Sequence, residues 1–325
     1  MKLFFTLFTS LLLTLTVFAQ QITFCDDFEG YQNGDPIAQT SPSWNTWGEL
    51  MTGTTAPFTD DVNISSTLAL SGNNSLYLFS GATQGLQDII LPFGSGTPYT
   101  TGTFEFVSNF YVNPSTGAYF NFQAENIPGS TWSLDVKMDF GTIVLENTGS
   151  GLNYLTASYP EGVWFELKII ANLTTNNWEL FIDNQSLGSF TNTVNQIASL
   201  DLYPIIGHQF YVDDVCYTYT PFIPLAYDMA AIDLNMVSNL ALTSAPFTVS
   251  GDIVSISATT ITSLDVNYSI NGATPIVDNL SGLNLSLFDT LTFNHNITWN
   301  PATIGSYFVE IWASNLNGNP DMDSL

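Results

Sequence analysis

The chain of 325 residues contains no arginine, and its lysines are only Lys2, Lys137 and Lys168, set against 29 acidic side chains for a formal net charge of −26. Nucleic-acid binding depends on Lys and Arg to neutralise phosphates, so that class of partner is excluded. Sulfated or uronate-rich polysaccharides are disfavoured for the same reason, since no guanidinium clamp is available to grip them. Histidine is as scarce: His208 and His295 stand far apart in the sequence, which removes a multi-histidine zinc site. No Gly-x-Ser-x-Gly elbow accompanies either one, and no phosphate-cradling glycine loop joins a strand to a helix. Nothing points to an organic cofactor. Beyond the first residues no apolar run is long enough to span a membrane.

Those first residues read as an export signal. Lys2 supplies the positive start, Leu3 to Thr16 is apolar, and Val17 and Ala19 place small side chains at −3 and −1 of a cut before Gln20. Residues 1–19 are therefore expected to be removed, and the remainder is expected outside the cell or on its surface. In that oxidising setting a chain with two cysteines forms one bridge. Cys25 lies in Phe24-Cys25-Asp26-Asp27-Phe28-Glu29 and Cys216 in Tyr211-Val212-Asp213-Asp214-Val215-Cys216. Each segment joins an aromatic, an Asp pair and a cysteine, as two strands would if they closed on one another through a Cys25–Cys216 disulfide.

The remainder is rich in short runs of alternating β-branched and aromatic residues, broken by Gly, Asn, Pro and Ser. Thr103–Val112, Ala118–Ala124, Thr131–Phe140, Trp164–Asn172 and Trp178–Asp183 are the clearest. No long segment holds a helical period, so the chain is predicted to be all-β. Pro221 and Pro224 interrupt the pattern after Cys216, which marks a first domain over residues 20–219, a linker over 220–229 and a second domain over 230–325. Strands are predicted there at Ile232–Ala241, Phe247–Ala258, Ser263–Ile270, Leu287–Ile297 and Tyr307–Ala313. Asn271-Gly272 and Ser281-Gly282 are read as turns between them. No closing strand follows Asn317-Gly318-Asn319-Pro320, so this domain is expected to be incomplete at its C-terminus.

Two resemblances sharpen the fold. Trp164–Asn172, the turn Asn176-Asn177, and Trp178–Asp183 followed by Gln185-Ser186-Leu187-Gly188 resemble the paired strands of concanavalin A-like jelly rolls, including laminin-G-like domains. Asp27-Phe28-Glu29 looks like the opening of MAM-type jelly rolls. The resemblance implies a concanavalin A-like jelly-roll sandwich with adjacent first and last strands and a structural Ca2+ near their ends. Its oxygen ligands would come from Glu29 and Asp213 or Asp214, with Asp27 a further candidate. The second domain, from Ser250-Gly251-Asp252 through Gly305-Ser306-Tyr307, is similar to immunoglobulin-like modules of the CARDB kind in surface proteins of Bacteroidetes exported by the type IX system. That likeness implies an immunoglobulin-like β-sandwich acting as a spacer or adhesion unit.

For a site, strand alternation opposes Tyr111, Asn109 and Glu105 to Phe104, Phe106 and Phe110. It likewise sets Tyr119, Asn121 and Gln123 against Phe120 and Phe122, and Asp135, Lys137 and Asp139 against Leu134, Val136 and Met138. The polar sets are expected on an exposed sheet face suited to neutral sugars. Trp44 and Trp47, in a Ser-Pro-rich loop, are alternative sugar platforms, whereas Trp132, Trp164 and Trp178 are assigned to the core. Catalysis is not expected: Asp135 and Asp139 sit at i and i+4 of one strand, about 13 Å apart, beyond the range of a glycosidase pair. The expectation is a secreted or surface binding protein that engages a glycan or an extracellular protein. The alternatives are a polysaccharide-degrading enzyme of the same fold and a structural surface protein that binds nothing small.

Overall fold

The computed structural model describes residues 20–81, 86–94, 97–147, 149–237 and 239–322. The export-signal reading of residues 1–19 falls outside them. The chain divides into two compact units after Phe222, and strands dominate both. Among the described residues no helix is long and apolar enough to cross a membrane.

In chain order the first unit contains β1 (Ile22–Asp26), α1 (Ile37–Thr40), β2 (Asn45–Thr46), α2 (Trp47–Thr52), β3 (Ile64–Ser65), β4 (Ser75–Phe79) and β5 (Ile89–Pro92). Four longer strands follow, β6 (Thr103–Val112), β7 (Gly117–Gln123), β8 (Trp132–Asp139) and β9 (Thr142–Asn147). Then come β10 (Leu152–Ser158), β11 (Trp164–Asn172), β12 (Asn177–Ile182), β13 (Gln185–Phe190), β14 (Ser199–Leu202) and β15 (Gln209–Thr220). They form two antiparallel sheets. One runs β13-β12-β11-β6-β15-β4-β3, with β1 also on β15, and the other runs β10-β9-β8-β7-β14-β5-β2. The chain crosses repeatedly between them, as in a concanavalin A-like jelly-roll sandwich.

Alternation decides the packing. Phe104, Phe106 and Phe110 of β6 face Phe120 and Phe122 of β7 across the sandwich, all fully buried. The ring centroids of Phe106 and Phe122 are 5.4 Å apart, as are those of Phe110 and Phe120. Each such side chain contributes about 1.5–3 kcal/mol by leaving water, so this aromatic seam is the main adhesive between the layers. The residues between them in sequence point outward, and on the seven-stranded sheet those outward side chains build the site described below.

The two cysteine segments meet as expected. Strand β1 lies antiparallel to β15 with Cys25 directly opposite Cys216, and the two are disulfide-bonded. A bulge between Asp213 and Cys216, with Asp214 at φ +49°, marks where β15 exchanges β4 for β1 as its neighbour. The Asp213 carbonyl displaced there accepts a hydrogen bond from the Ser108 hydroxyl at 3.1 Å.

The second unit contains β16 (Met229–Leu234), β17 (Ser250–Ser255), β18 (Ile261–Ile270), β19 (Ile276–Leu285), β20 (Thr290–Asn294) and β21 (Val309–Ser314). Two three-stranded antiparallel sheets, β16-β17-β20 and β19-β18-β21, enclose Ile253, Ile261, Leu264, Val266 and Phe293 in an immunoglobulin-like sandwich. Two local expectations are corrected. Ser281-Gly282 is not a turn: Gly282, at φ +75°, sits inside β19, where the pairing with β18 slips between Ile261 and Ser263. Glycine in a strand interior marks such a bulge as readily as a chain reversal. The predicted strand Ile232–Ala241 stops at Leu234.

Candidate functional site

The outward face of the seven-stranded sheet carries a row of side chains fixed by register. Glu146 of β9 lies opposite Asp135 of β8, Asp135 opposite Asn121 of β7, Asn121 opposite Asp201 of β14, and Asp201 opposite Ile90 of β5. Cross-strand partners point to the same side, so one mostly polar stripe crosses five strands. A second stripe holds Lys137 opposite Tyr119, with Asp88 and Tyr203 each one residue beyond the Ile89–Leu202 pair.

Loops raise walls around these stripes. Thr46 caps α2 by accepting the Glu49 amide at 3.1 Å, and the Asp60 carboxylate accepts the Gly48 amide at 2.7 Å. The Trp47 amide donates to the Asp88 carbonyl at 3.0 Å. The helix thereby stands over β5 and places Trp47 beside the stripe. Opposite it, Gly129 approaches so closely that a Cβ there would lie 2.7 Å from Trp47 Cη2. Trp132, Gly149, Tyr203 and Ile205 complete a groove of about 570 Å³ whose floor includes Asp88, Tyr119, Asn121, Asp135, Lys137 and Asp201.

The floor is cross-linked. The Tyr119 hydroxyl donates to Asp135 Oδ1 and accepts from Asn121 Nδ2 at 3.3 Å. Asn121 Nδ2 also donates to Asp201 Oδ2 at 2.7 Å, and Gln123 Nε2 donates to Asn121 Oδ1 at 2.6 Å. Gln123 Oε1 accepts the Gly129 amide at 2.8 Å, which fastens the wall to the floor. Lys137 and Glu146 form an ion pair.

Electrostatics in the groove follow from burial. Asp201 is 3% exposed. Burial pushes its carboxyl up, while hydrogen bonds from Asn121 and Gln123 pull the other way. Burial raises the adjacent Asp88 carboxyl further, reinforced by the charge of Asp201. The Oδ1 atoms of Asp88 and Asp201 are both buried with no hydrogen-bond partner. A proton held between the two carboxyls relieves both, because like charges at contact distance do not both ionise. Burial, then the Asp135 charge, holds the Tyr119 phenol neutral, so it remains a hydrogen-bond donor.

The structure redistributes the residues expected to bind. Tyr119, Asn121, Gln123 and Asp135 do share one face with Lys137, but Tyr119, Asn121 and Asp135 are buried in the floor of a groove and Gln123 is buried beside it, not spread on an open sheet. Tyr111 belongs to β6 in the other sheet. There it stands in register with Tyr211, Tyr77 and Trp164 as an aromatic ladder on the opposite side of the sandwich. Asp139 lies at the far end of β8, 3.1 Å from His208 Nε2 and outside the groove. Trp44 is not a sugar platform. It is 2% exposed, its indole N–H donates to Asp26 Oδ2 at 3.0 Å, and it belongs to the core. Trp47 does line the groove. Trp132, assigned to the core by its sequence context, is 36% exposed at the rim, while Trp178 is fully buried.

Of the carboxylates expected to hold a cation, Glu29, Asp213 and Asp214 converge on the loop at residues 70–74 and Asp27 does not, and all four are engaged by protein donors. Glu29 Oε1 accepts the amides of Asn73 and Asn74 at 2.8 and 2.7 Å, which lowers its pKa. Its carboxylate crowds Gly72, at φ +53°, where any Cβ would collide with it. Asp213 Oδ2 accepts the amides of Leu70 and Ser71, Asp214 accepts the Ser71 hydroxyl at 2.8 Å, and Asp27 accepts the Glu29 amide. Burial still pushes Asp213 up to about 6. Among the described residues no group of three or more His, Cys, Asp or Glu is arranged to hold a metal ion.

Asp88, Asp201, Tyr203 and Ile205 were not anticipated. The signal available for Asp201 is a charge inside the short apolar run Ile197–Leu202, since a buried acid needs a partner. No comparable pattern marks Asp88.

No protein-family model matches this chain, and no curated protein matches it in sequence. Solved structures that resemble it include a cellulose-induced protein, Cip1, at 13% identity and TM-score 0.44, covering 61% of this chain and 98% of that one. Carbohydrate-binding module CBM66 from Bacillus subtilis aligns at 10% identity and TM-score 0.34, covering 54% of this chain and 95% of the module. Caenorhabditis elegans galectin LEC-6 aligns at 11% identity and TM-score 0.30, covering 43% and 94%.

Proposed function

We propose that the first unit is a glycan-binding domain whose site is the groove on the seven-stranded sheet, in an exported protein whose second unit serves as a spacer. The observation that carries this reading is the combination of aromatic walls, Trp47, Trp132 and Tyr203, over a pre-ordered polar floor. Sugar rings present apolar faces and hydroxyl edges, and they bind where an aromatic surface meets fixed donors and acceptors. The network from Asp135 through Tyr119 and Asn121 to Asp201 holds those groups in place before a ligand arrives, which lowers the ordering cost of binding. Lys137 is already paired with Glu146, so the groove carries no cation free to grip a polyanion.

Binding is favoured over catalysis because the carboxylates of the floor are held by the sheet's own donors: Asp135 accepts the Tyr119 hydroxyl and Asp201 accepts the Asn121 amide. The test is a glycan array on the full chain, alongside Trp132→Ala. The expected result is binding to oligosaccharides that the substitution weakens about tenfold or more, as for removal of a stacking aromatic at a binding hot spot. Absence of binding to any glycan, or binding that ignores Trp132, would sink the proposal. Release of reducing ends from a bound glycan would replace it with the enzymatic alternative.

A further inference from the structure

We infer that the groove selects glycans bearing a protonated amine, whose ammonium sits against the Asp88 and Asp201 carboxyls. The inference rests on the glycan-binding reading above and adds the chemical class of the sugar.

Three observations lead to it. The first is charge. The floor holds Asp88, Asp135 and Asp201, Asp60 lies behind Asp88, and Lys137 is the sole cation of the lining and is engaged by Glu146. Acidic charge therefore exceeds basic charge throughout the groove. The second is a pair of buried acceptors that no donor among the described residues reaches, leaving only the proton the pair retains. Asp201 is 3% exposed and lines the groove, yet its Oδ1 has no partner, and neither has Oδ1 of Asp88. A sugar hydroxyl supplies one donor and no charge, whereas an ammonium supplies three donors and the counter-charge. The third is the lining. Trp47, Trp132 and Tyr203 line the same groove as the carboxyls, and aromatic faces attract a cation through their quadrupole most effectively when water is excluded.

The groups facing the pair are Asp60 from the loop before β3, Asp135 from β8, the Tyr119 phenol from β7, Tyr203 after β14, and the Lys137–Glu146 ion pair. None is an unpaired cation that would compete for the carboxyls. The arriving ammonium takes the place of the proton held between Asp88 and Asp201, so binding releases a proton. Affinity for an amine-bearing ligand accordingly rises as pH climbs from the ordinary carboxylate range of about 4 toward the point where the ligand amine itself deprotonates.

The experiment is titration calorimetry on the full chain with glucosamine oligomers, N-acetylglucosamine oligomers and glucose oligomers of equal length. Buffers of different ionisation enthalpy count the protons released. Glucosamine oligomers are expected to bind about tenfold tighter than the other two, the difference between a charge-assisted and a neutral hydrogen bond. Asp88→Asn, nearly isosteric, should bring the three affinities together, and Trp132→Ala should weaken all three. Equal or weaker binding of the amine series would overturn the inference and leave glycan binding standing. Failure of all three series in the unaltered chain would overturn both. Retained amine preference in a folded Asp88→Asn variant would remove the carboxyl pair as its cause.

Discussion

The Cys25–Cys216 bond closes 191 residues of sequence separation, and its removal should be costly. In the chain-entropy model a cross-link of that span removes about 18 cal/mol/K from the unfolded ensemble, or about 5 kcal/mol at 25 °C. Domains are typically stable by about 5–15 kcal/mol, so the loss takes a third or more of the margin. The native side of the balance changes little. Strand β1 keeps its register from Ile22 opposite Tyr219 to Asp26 opposite Val215, and Phe24 remains stacked on Tyr217 at 5.6 Å. The perturbation is Cys25→Ser with Cys216→Ser in the full chain, followed by urea unfolding read through tryptophan fluorescence. Trp44, Trp47, Trp132, Trp164 and Trp178 all report on the first unit. At a slope of about 2 kcal/mol per molar urea, the midpoint should fall by roughly 2.5 M. A loss below about 1 kcal/mol would refute the reasoning, because it would mean that the unfolded chain already keeps its ends together or that β1 contributes nothing to the cooperative unit.

Asp88 and Asp201 are both raised, so the folded chain retains a proton that the unfolded chain, with Asp near about 3.9, has released. The stability this contributes is complete below about pH 4 and is lost as pH rises through the folded-state titration. Asp88→Asn should flatten that decline, and parallel pH–stability curves for variant and unaltered chain would refute the shared proton. Gly129→Ala, at φ +82° and 2.7 Å from the Trp47 ring, should cost about 1 kcal/mol, shift tryptophan emission and weaken glycan binding. Unchanged emission would show that the wall accommodates the methyl group. Chelator should leave the Tm of the full chain unchanged, because amides and hydroxyls occupy the Glu29, Asp213 and Asp214 carboxylates. A chelator-dependent fall would place a cation among them.

Much of the fold was legible because long strands flanking a thick core must alternate. Thr103–Val112 and Trp164–Asn172 are strands over the bounds their patterns predict, and the outward sets on β7 and β8 do lie together. The groove was less so. Asp201 lies in, and Asp88 directly before, short strands so enclosed that little alternation survives: Ser199–Leu202 is buried at every position and Ile89–Pro92 at all but the last. Their meeting depends on a β14–β5 pairing between segments more than a hundred residues apart. The tryptophans show a different limit. Trp44 and Trp47 share one polar stretch, yet the first anchors on Asp26 inside the core and the second opens α2 at the surface. Three residues of separation across a change from strand to helix reverse their roles, and composition carries no trace of it.

The same covalent link has a mechanical reading. The chain enters the first unit through β1 and leaves it through β15 on the way to the second, and the link joins those two strands side by side. Tension applied between residue 20 and the second unit is therefore borne across the Cys25–Cys216 bond and never runs along the strands between. The sheet that forms the groove lies entirely within the bypassed segment, so tension between the two ends of the unit would leave the groove in its unloaded shape.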